Sequence, residues 1–179
     1  MKYYVVALFD EDSYETITPI QRNLSKKFRG NRHSPMPYIA LNILDNPNME
    51  KLYTVIDKII RPYKKFKIEL CDDVSISDTM KTINLKILNE GYIKKINRSL
   101  RDTLELHGIH SKNLENDLSI SIANINYINK ENKKNNDIAC DLVKKDGKNL
   151  TLKVSKFEIW KISNNKKETC IKSYPLKTF

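Results

Sequence analysis

The chain has 179 residues, with 32 Lys and Arg against 22 Asp and Glu and a formal net charge of +10 at pH 7. This length suits a single domain with its own core, and three cysteines without a CxxC pair indicate neither a disulfide framework nor a zinc knuckle. No apolar run approaches the roughly 20 residues of a membrane span, or forms the core of a signal peptide. We therefore expect a reduced, cytoplasmic protein without a membrane partner.

The positive charge favours anionic partners such as nucleic acid or nucleotides. Nearly all of it is Lys, and the chain is also rich in Asn and Ile. That bias is typical of AT-rich genomes whatever the function of the gene. The charge therefore leaves two interpretations open, a solvated basic surface and a selected phosphate-binding face.

Runs of alternating or β-branched residues predict strands, and amphipathic helical patterns lie between them. The first helical pattern contains Pro19, which predicts either a helix that begins at Thr18 or a kinked one. The predicted helices span residues 13–30, 49–60, 93–104 and 130–146, and the predicted strands span residues 3–9, 38–44, 66–70, 83–88, 118–125, 150–162 and 168–174.

The order of these elements repeats after about 80 residues. A shift of 81 positions places Ile39 on Ile120 within matching strands, and element order, type and spacing agree as well. The pattern predicts a single domain made of two copies of a βαβαβ unit, a first lobe of residues 1–80 and a second of residues 81–179. We expect an α/β fold (α+β in stricter terms) with two mainly antiparallel sheets, flanking helices and a central groove.

Alternation along one strand of each lobe predicts which side chains face the groove. In the first lobe the core set is Ile39, Leu41 and Ile43, and the groove set is Tyr38, Ala40 and Asn42. In the second lobe the core set is Leu118, Ile120 and Ile122, and the groove set is Ser119, Ser121 and Ala123. The two pairs that should meet in the groove are Tyr38 with Ala40 and Ser119 with Ser121.

The chain resembles the two-histidine phosphoesterases, which include the 2′-5′ RNA ligase-like proteins and the cyclic nucleotide phosphodiesterases. "PYIAL" at Pro37–Leu41 is similar to the family's Pro-His-x-Thr-Leu, and "SISIA" at Ser119–Ala123 is similar to its His-x-Ser/Thr-Ile-Ala. The opening "YYVVALFDED" and the late "LKVSKFEIWKI" resemble the family's first strand and one of its last. The resemblance spans nearly the whole chain and implies a duplicated fold in which each lobe presents a histidine and a hydroxyl to the groove.

Both motif histidines are absent from this sequence. Tyr38 and Ser119 occupy their positions, Ala40 replaces the first hydroxyl residue, and Ser121 keeps the second. In the family one imidazole acts as a base and the other as an acid, and losing one such group typically costs about 10²- to 10⁴-fold in rate. We therefore predict a catalytically inactive protein with no catalytic residue at these degenerate positions.

Three functions stay open at this point. The groove binds an RNA end, a nucleotide or another phosphate-bearing ligand through Tyr38, Ser119 and Ser121, whose hydroxyls donate hydrogen bonds while the tyrosine ring stacks on a base. Alternatively, a filled groove leaves a protein-interaction or structural module. The third alternative is a phosphodiesterase with relocated catalytic residues.

Relocated catalysis or a metal site would need other groups. His33 reaches the groove only if the segment before Tyr38 folds back, and His107 and His110 are interpreted as cap and loop residues rather than as metal ligands. No glycine-rich phosphate loop is visible. We predict no cofactor and no metal, and we interpret Trp160, Tyr3 and Tyr4 as core residues rather than as a platform on which bases stack.

Overall fold

The computed structural model describes residues 1–112, 118–126, 144–145, 147–165 and 167–178. Three helices and a large antiparallel sheet confirm the predicted α/β class, and no helix within these ranges is long and apolar enough to cross a membrane. The helices are α1 (Glu11–Lys27), α2 (Met49–Ile60) and α3 (Gly91–Leu106); the strands are β1 (Lys2–Phe9), β2 (Tyr38–Asp45), β3 (Phe66–Ser77), β4 (Thr82–Ile87), β5 (Ser111–Lys112), β6 (Ser119–Asn124), β7 (Lys144–Lys145), β8 (Lys148–Asn149), β9 (Thr151–Ile162) and β10 (Glu168–Pro175).

Helix α1 begins before the predicted position because Asp10 caps it. The Asp10 carboxylate accepts a hydrogen bond from the N–H of Ser13 at 3.0 Å, which satisfies one of the unpaired donors of the first turn. The helix continues through Pro19, so the alternative of a start at Thr18 is wrong. Pro19 is exposed, and the carbonyl that its missing N–H leaves unbonded belongs to the solvent side of the helix.

The predicted strands are present with small changes at their ends, and β3 runs seven residues further than predicted, to Ser77. The fourth predicted helix, residues 130–146, falls largely outside the described residues. At its end Lys144 and Lys145 form β7, which pairs with β8. The helix therefore does not extend as far as residue 146.

The two predicted sheets are joined into one sheet of eight strands, β1 to β6 with β9 and β10. Strand β2 pairs with β6 through Tyr38–Ser121 and Ile39–Ile120, and β1 pairs with β9 as well as with β2. The order β1-β2-β6-β4-β3-β9 therefore closes on itself. Strands β2 and β6, which carry the two motifs, are therefore neighbours in this ring.

The pairing pattern is symmetric between the halves of the chain. Strand β1 pairs with β2 and β9, and β4 pairs with β6 and β3. Exchanging β1 with β4, β2 with β6 and β9 with β3 leaves every pairing in the ring unchanged. Strand β3 of the first half therefore pairs with two strands of the second half, β4 and β9, and β9 pairs with two strands of the first half, β1 and β3. The division into lobes at residues 80 and 81 stays a prediction.

A β-bulge in β2 changes the alternation that the sequence predicts. Val6 pairs with Ala40 but Val5 pairs with Asn42, so Leu41 is an extra residue on β2. The register of β4 against β6 shifts in the same way and leaves Ile122 extra, 81 positions after Leu41. Both motif strands thus bend just after their motif positions.

The bulge moves Asn42 out of the predicted groove set. Its side-chain amide lies 3.4 Å from the Asn97 Oδ1 on α3 and 3.3 Å from the Ser111 Oγ. Ile43, predicted in the core set, pairs instead with Tyr4 on the groove side. These two assignments are wrong because one extra residue reverses the alternation of every later side chain in the strand.

The sheet carries a different apolar cluster on each face. The main core lies beneath the helices and includes fully buried residues from both halves, such as Ile56, Leu100 and Phe157. A smaller cluster on the groove face consists of Val6, Leu8, Tyr38, Ala40 and Trp160. We call this second set the groove cluster.

Candidate ligand groove

The predicted groove positions come together at the centre of the sheet. Tyr38 pairs directly with Ser121 across β2 and β6. Because the strands are antiparallel and alternate, Ala40 and Ser119 lie on the same face one repeat further along. The four positions are therefore neighbours, although more than 80 residues separate Tyr38 from Ser121 in the chain.

Tyr38 fills the groove instead of offering a reactive group. Its side chain is 4% exposed, and its ring packs edge-on against Trp160 with the centroids 4.9 Å apart. Burial raises the pKa of Tyr38 above its ordinary value of 10, although the neighbouring side chain of Ser121 partly opposes this. The hydroxyl therefore stays protonated at neutral pH, and the interpretation of Trp160 as a core residue is confirmed.

A cavity of about 480 Å³ opens beside this aromatic pair. Tyr4, Tyr38 and Trp160 contribute its aromatic surface. Of the predicted ligand-binding residues, Tyr38 lines this cavity, while Ser119 and Ser121 lie next to it on β6 and do not. The space available to a ligand is therefore displaced from the two motifs toward the start of β1.

Charged side chains surround this cavity. Lys2, Lys81 and Lys112 stand against Asp45 and Glu168. The Lys112 Nζ lies 2.6 Å from the Asp45 Oδ2, and this contact holds the pKa of Asp45 below its ordinary value. The described rim is therefore net positive.

The turn between β3 and β4 covers part of the groove. Met80 packs against the groove cluster, and its N–H donates to the Ser77 Oγ at 3.2 Å. The carbonyl of Lys81 accepts from the N–H of Ile125 at 2.8 Å. Hydrogen bonds on both sides of the turn thus hold Met80 in place over the cluster.

The groove face becomes polar beyond Ser121. Asn84 pairs with Ser121 in the sheet, and Thr82 lies two residues earlier on β4. Both side chains are almost fully buried, and the Thr82 Oγ1 and Asn84 Oδ1 have no hydrogen-bond partner within the described part of the chain. Neither residue is among the predicted groove positions, although their alternation with Ile83 and Leu85 indicates the face they occupy.

Glu158 is a buried carboxylate on the groove face and is also absent from the predicted groove positions. It is 7% exposed, accepts a hydrogen bond from the Trp160 Nε1 at 2.7 Å, and lies 2.8 Å from the Lys156 Nζ. Burial alone would raise its pKa, but the contacts with Lys156 and Trp160 outweigh burial and lower it. Glu158 is therefore ionised and orients the indole that packs on Tyr38.

The histidines do not replace the missing pair. His33 is exposed and does not line the cavity beside Tyr38. His107 and His110 line a second cavity, of about 370 Å³. The His107 Nδ1 lies 2.9 Å from the carbonyl oxygen of Thr103, as the interpretation of a helix-end residue predicts.

One group in the described part of the chain has ligand atoms close enough to hold a metal ion. Cys71, Asp72 and Asp73 place one such atom each within 4.8 Å of one another, where β3 bulges between Leu70 and Val74. Burial raises the pKa of the Cys71 thiol, which disfavours the thiolate that binds metals. The groove residues contribute nothing to this group.

No family model and no curated protein matches the sequence. Solved structures do match over nearly the whole chain. LigT of E. coli complexed with 3′-AMP has a TM-score of 0.62 and 16% identity, with 98% of this chain and 97% of that chain covered. TT0787 of Thermus thermophilus has a TM-score of 0.64 and 15% identity, with 99% of both chains covered.

Usb1 of Kluyveromyces marxianus has a TM-score of 0.55 and 11% identity, with 98% of both chains covered. All three are two-histidine phosphoesterases. The resemblance drawn from "PYIAL" and "SISIA" is therefore confirmed at the level of the fold. The missing histidines set this chain apart at the positions where the two motifs meet.

Proposed function

We propose that this chain, which has the fold of the two-histidine phosphoesterases, binds a nucleotide or an RNA end without hydrolysing it. The observation that carries the proposal is the cavity beside Tyr38, whose lining includes the half-buried ring of Tyr4 and three lysines. Tyr4 is the aromatic residue open enough to stack on a base, because Tyr38 and Trp160 are each 4% exposed. Aromatic rings stack on bases, and ammonium groups neutralise phosphates. E. coli LigT forms complexes with 3′-AMP, NADP⁺ and ATP, ligands that combine a base with phosphate.

The proposed loss of hydrolysis rests on Tyr38 and Ser119. A buried tyrosine with a raised pKa supplies no base at neutral pH, and a serine hydroxyl has no useful basic form. Ser121 keeps a hydroxyl beside Tyr38 and stays a candidate ligand-binding residue. Ser119 stays a candidate contact for a ligand that extends past Tyr38.

Fluorescence of Trp160 tests the binding proposal, because it is the only tryptophan of the chain. We expect a saturable change in emission when 3′-AMP is added. Tyr4→Ala should weaken binding about 10-fold, since stacking on an aromatic side chain contributes about 1–3 kcal/mol per base. As a control, Lys95→Ala removes an exposed lysine of α3 that does not line the cavity, and it should leave binding unchanged.

The absence of any saturable change with 3′-AMP, in a protein shown to be folded by circular dichroism, would contradict nucleotide binding. Hydrolysis is tested separately with 2′,3′-cyclic nucleotides. We expect no turnover by the native protein above that of a Tyr38→Ala variant. Turnover that Tyr38→Ala abolishes would show that the tyrosine has a catalytic role and that the protein is an active phosphodiesterase.

A second candidate is a protein-interaction or structural module. The groove cluster favours it, because Tyr38, Trp160 and Met80 fill the space over the motif strands with packed apolar side chains. On this alternative the emission of Trp160 does not respond to 3′-AMP. Relocated catalysis has less support, since neither His33 nor the pair His107 and His110 lines the cavity beside Tyr38.

A further inference from the structure

We infer that the cavity beside Tyr38 selects a guanine base, and that Glu168 is the residue that determines this specificity. The inference rests on the proposed function and adds a base preference to the same cavity. Glu168 is the first residue of β10 and lines the cavity together with Tyr4 and Trp160. A carboxylate repels phosphate and only accepts hydrogen bonds, so Glu168 suits a part of the ligand that carries N–H donors.

Strand pairing places Glu168 beside the ring that is open for stacking. Glu168 pairs with Ile162 on β9, and Ile162 pairs with Lys2 on β1. Ile162 and Lys2 lie two positions along their strands from Trp160 and Tyr4, which pair with each other and line the cavity. Because side chains two positions apart share a face of the sheet, Glu168, Trp160 and Tyr4 line one end of the cavity.

Of the two carboxylates in the described lining, Glu168 is the one left for a ligand. Asp45 contacts Lys112, whose Nζ lies 2.6 Å from its Oδ2, and these two residues form the wall that the cavity shares with the second cavity. Glu168 forms no ion pair with another described residue. Burial is the main cause of the raised pKa of Tyr38, and the charge of Glu168 contributes to it, so this carboxylate lies near the aromatic pair.

The opposite charges of the cavity are separated along the sheet. Lys112 pairs with Ile43 on β2, and β2, β1 and β9 lie between its strand and β10. Four strand spacings of about 4.8 Å separate the two backbones by about 19 Å, and side chains that reach inward from both leave a gap that one nucleotide spans. A nucleotide with its phosphate at Lys112 has its base on Tyr4 and the edge of that base at Glu168.

Guanine is the RNA base whose edge fits a carboxylate. It presents N1–H and an N2–H side by side, so that two parallel hydrogen bonds reach both carboxylate oxygens. Adenine, cytosine and uracil each place an acceptor beside their donor, and that acceptor would face a carboxylate oxygen. We therefore expect guanine to be favoured by about 10- to 100-fold in affinity, as is typical of bidentate contacts to bases.

The test compares 3′-GMP, 3′-IMP and 3′-AMP, each followed by Trp160 fluorescence. Hypoxanthine keeps N1–H and lacks the N2 amine, so 3′-IMP isolates the second hydrogen bond. We expect 3′-GMP to bind about 10-fold more tightly than 3′-AMP or better, with 3′-IMP between them. Glu168→Gln should weaken the binding of 3′-GMP about 10-fold and leave that of 3′-AMP nearly unchanged.

Asp45→Asn is the matched control, because it removes the other carboxylate from the described lining of the cavity. It frees Lys112 and makes the rim more positive, so 3′-GMP and 3′-AMP should both bind more tightly by the same factor. Glu50→Gln changes an exposed residue of α2 that does not line the cavity, and it should alter neither affinity.

Equal affinities of the native protein for 3′-GMP and 3′-AMP would overturn the assignment to guanine and leave the proposed function standing. A guanine preference that Glu168→Gln leaves intact, or that Asp45→Asn reduces equally, would overturn the role of Glu168. If none of the three nucleotides binds to protein shown to be folded by circular dichroism, both proposals are wrong.

Discussion

At the scale of single residues, Tyr38 determines the chemistry at the centre of the groove. An imidazole there would exchange protons near neutral pH. The tyrosine instead packs on Trp160 and stays protonated because burial raises its pKa. The same strand position therefore contributes packing energy in place of acid–base chemistry.

Rebuilding the motifs tests whether the missing groups alone account for the predicted loss of hydrolysis. We expect the triple variant Tyr38→His, Ala40→Thr, Ser119→His, which keeps Ser121, to hydrolyse 2′,3′-cyclic AMP. Each restored acid–base group typically contributes about 10²- to 10⁴-fold. A variant with only Ala40→Thr is the control, and it should stay inactive.

A triple variant that is folded by circular dichroism and still inactive would show that the groove geometry, and not only the missing groups, prevents the reaction. The displacement of Tyr38 from the space beside Trp160 makes the folding check necessary. Turnover by the Ala40→Thr control would equally contradict the expectation, because that variant contains neither imidazole.

Glu158 makes the free energy of unfolding depend on pH in the acid range. Its folded pKa is lowered from an ordinary value of 4.5, so its stabilising contribution is complete above about pH 4.5 and is lost as the pH falls through the folded pKa. We expect Glu158→Gln to lower the free energy of unfolding by about 1–3 kcal/mol at about pH 7, and the difference from the native protein to shrink below about pH 4.5. Urea unfolding at several pH values measures this.

Glu105→Gln is the control for this measurement, because Glu105 is exposed on α3. It should change the free energy of unfolding little at any pH. A deficit of Glu158→Gln that stays constant from neutral to acid pH would show that the variant loses packing rather than charge interactions.

At the scale of elements, the departures from regular geometry matter most. The bulge at Leu41 reverses the facing of Asn42 and Ile43, and a matching bulge at Ile122 follows the second motif. Helix α1 and its cap residue Phe28 are followed by a left-handed residue, Arg29, with a φ of 52°. Such a position usually holds glycine, because a Cβ disfavours positive φ.

Replacing Arg29 by glycine should therefore stabilise the end of α1. The N–H of Gly30 already donates to the carbonyl of Ser25 at 2.7 Å, so the cap itself stays in place. We expect Arg29→Gly to raise the free energy of unfolding by about 0.5–1 kcal/mol. Arg22→Gly, in the middle of the same helix and exposed, should lower it by about 1 kcal/mol; equal losses in both variants would contradict the capping argument.

At the scale of the whole molecule, the ring of strands makes the halves depend on each other. The third strand of the first half, β3, pairs with β4 and β9, and β9 pairs with β1. Each half alone would leave strand edges and apolar faces uncovered. The hydrogen bonds between strands therefore do not divide the chain into two independent folding units, although its sequence repeats.

Fragments test this dependence. We expect residues 1–80 and 81–179, expressed separately, to be unfolded by circular dichroism. Urea unfolding of the whole chain should show a single transition that coincides for Trp160 fluorescence and circular dichroism, as two-state unfolding requires. Two separate transitions, or a folded fragment, would show that the lobes are independently stable.

The sequence by itself determined the order of the three described helices and the seven longer strands, the 81-position repeat and the absence of both histidines, because these depend on local periodicity and on residue identity. Tertiary structure decided the rest. The joining of the sheets, the reversal at Asn42, the burial of Tyr38 against Trp160 and the wall shared by Asp45 and Lys112 all depend on pairing between residues far apart in the chain. Local patterns carry no information about which remote side chain fills a given space, and here that choice separates a filled motif site from an open cavity beside it.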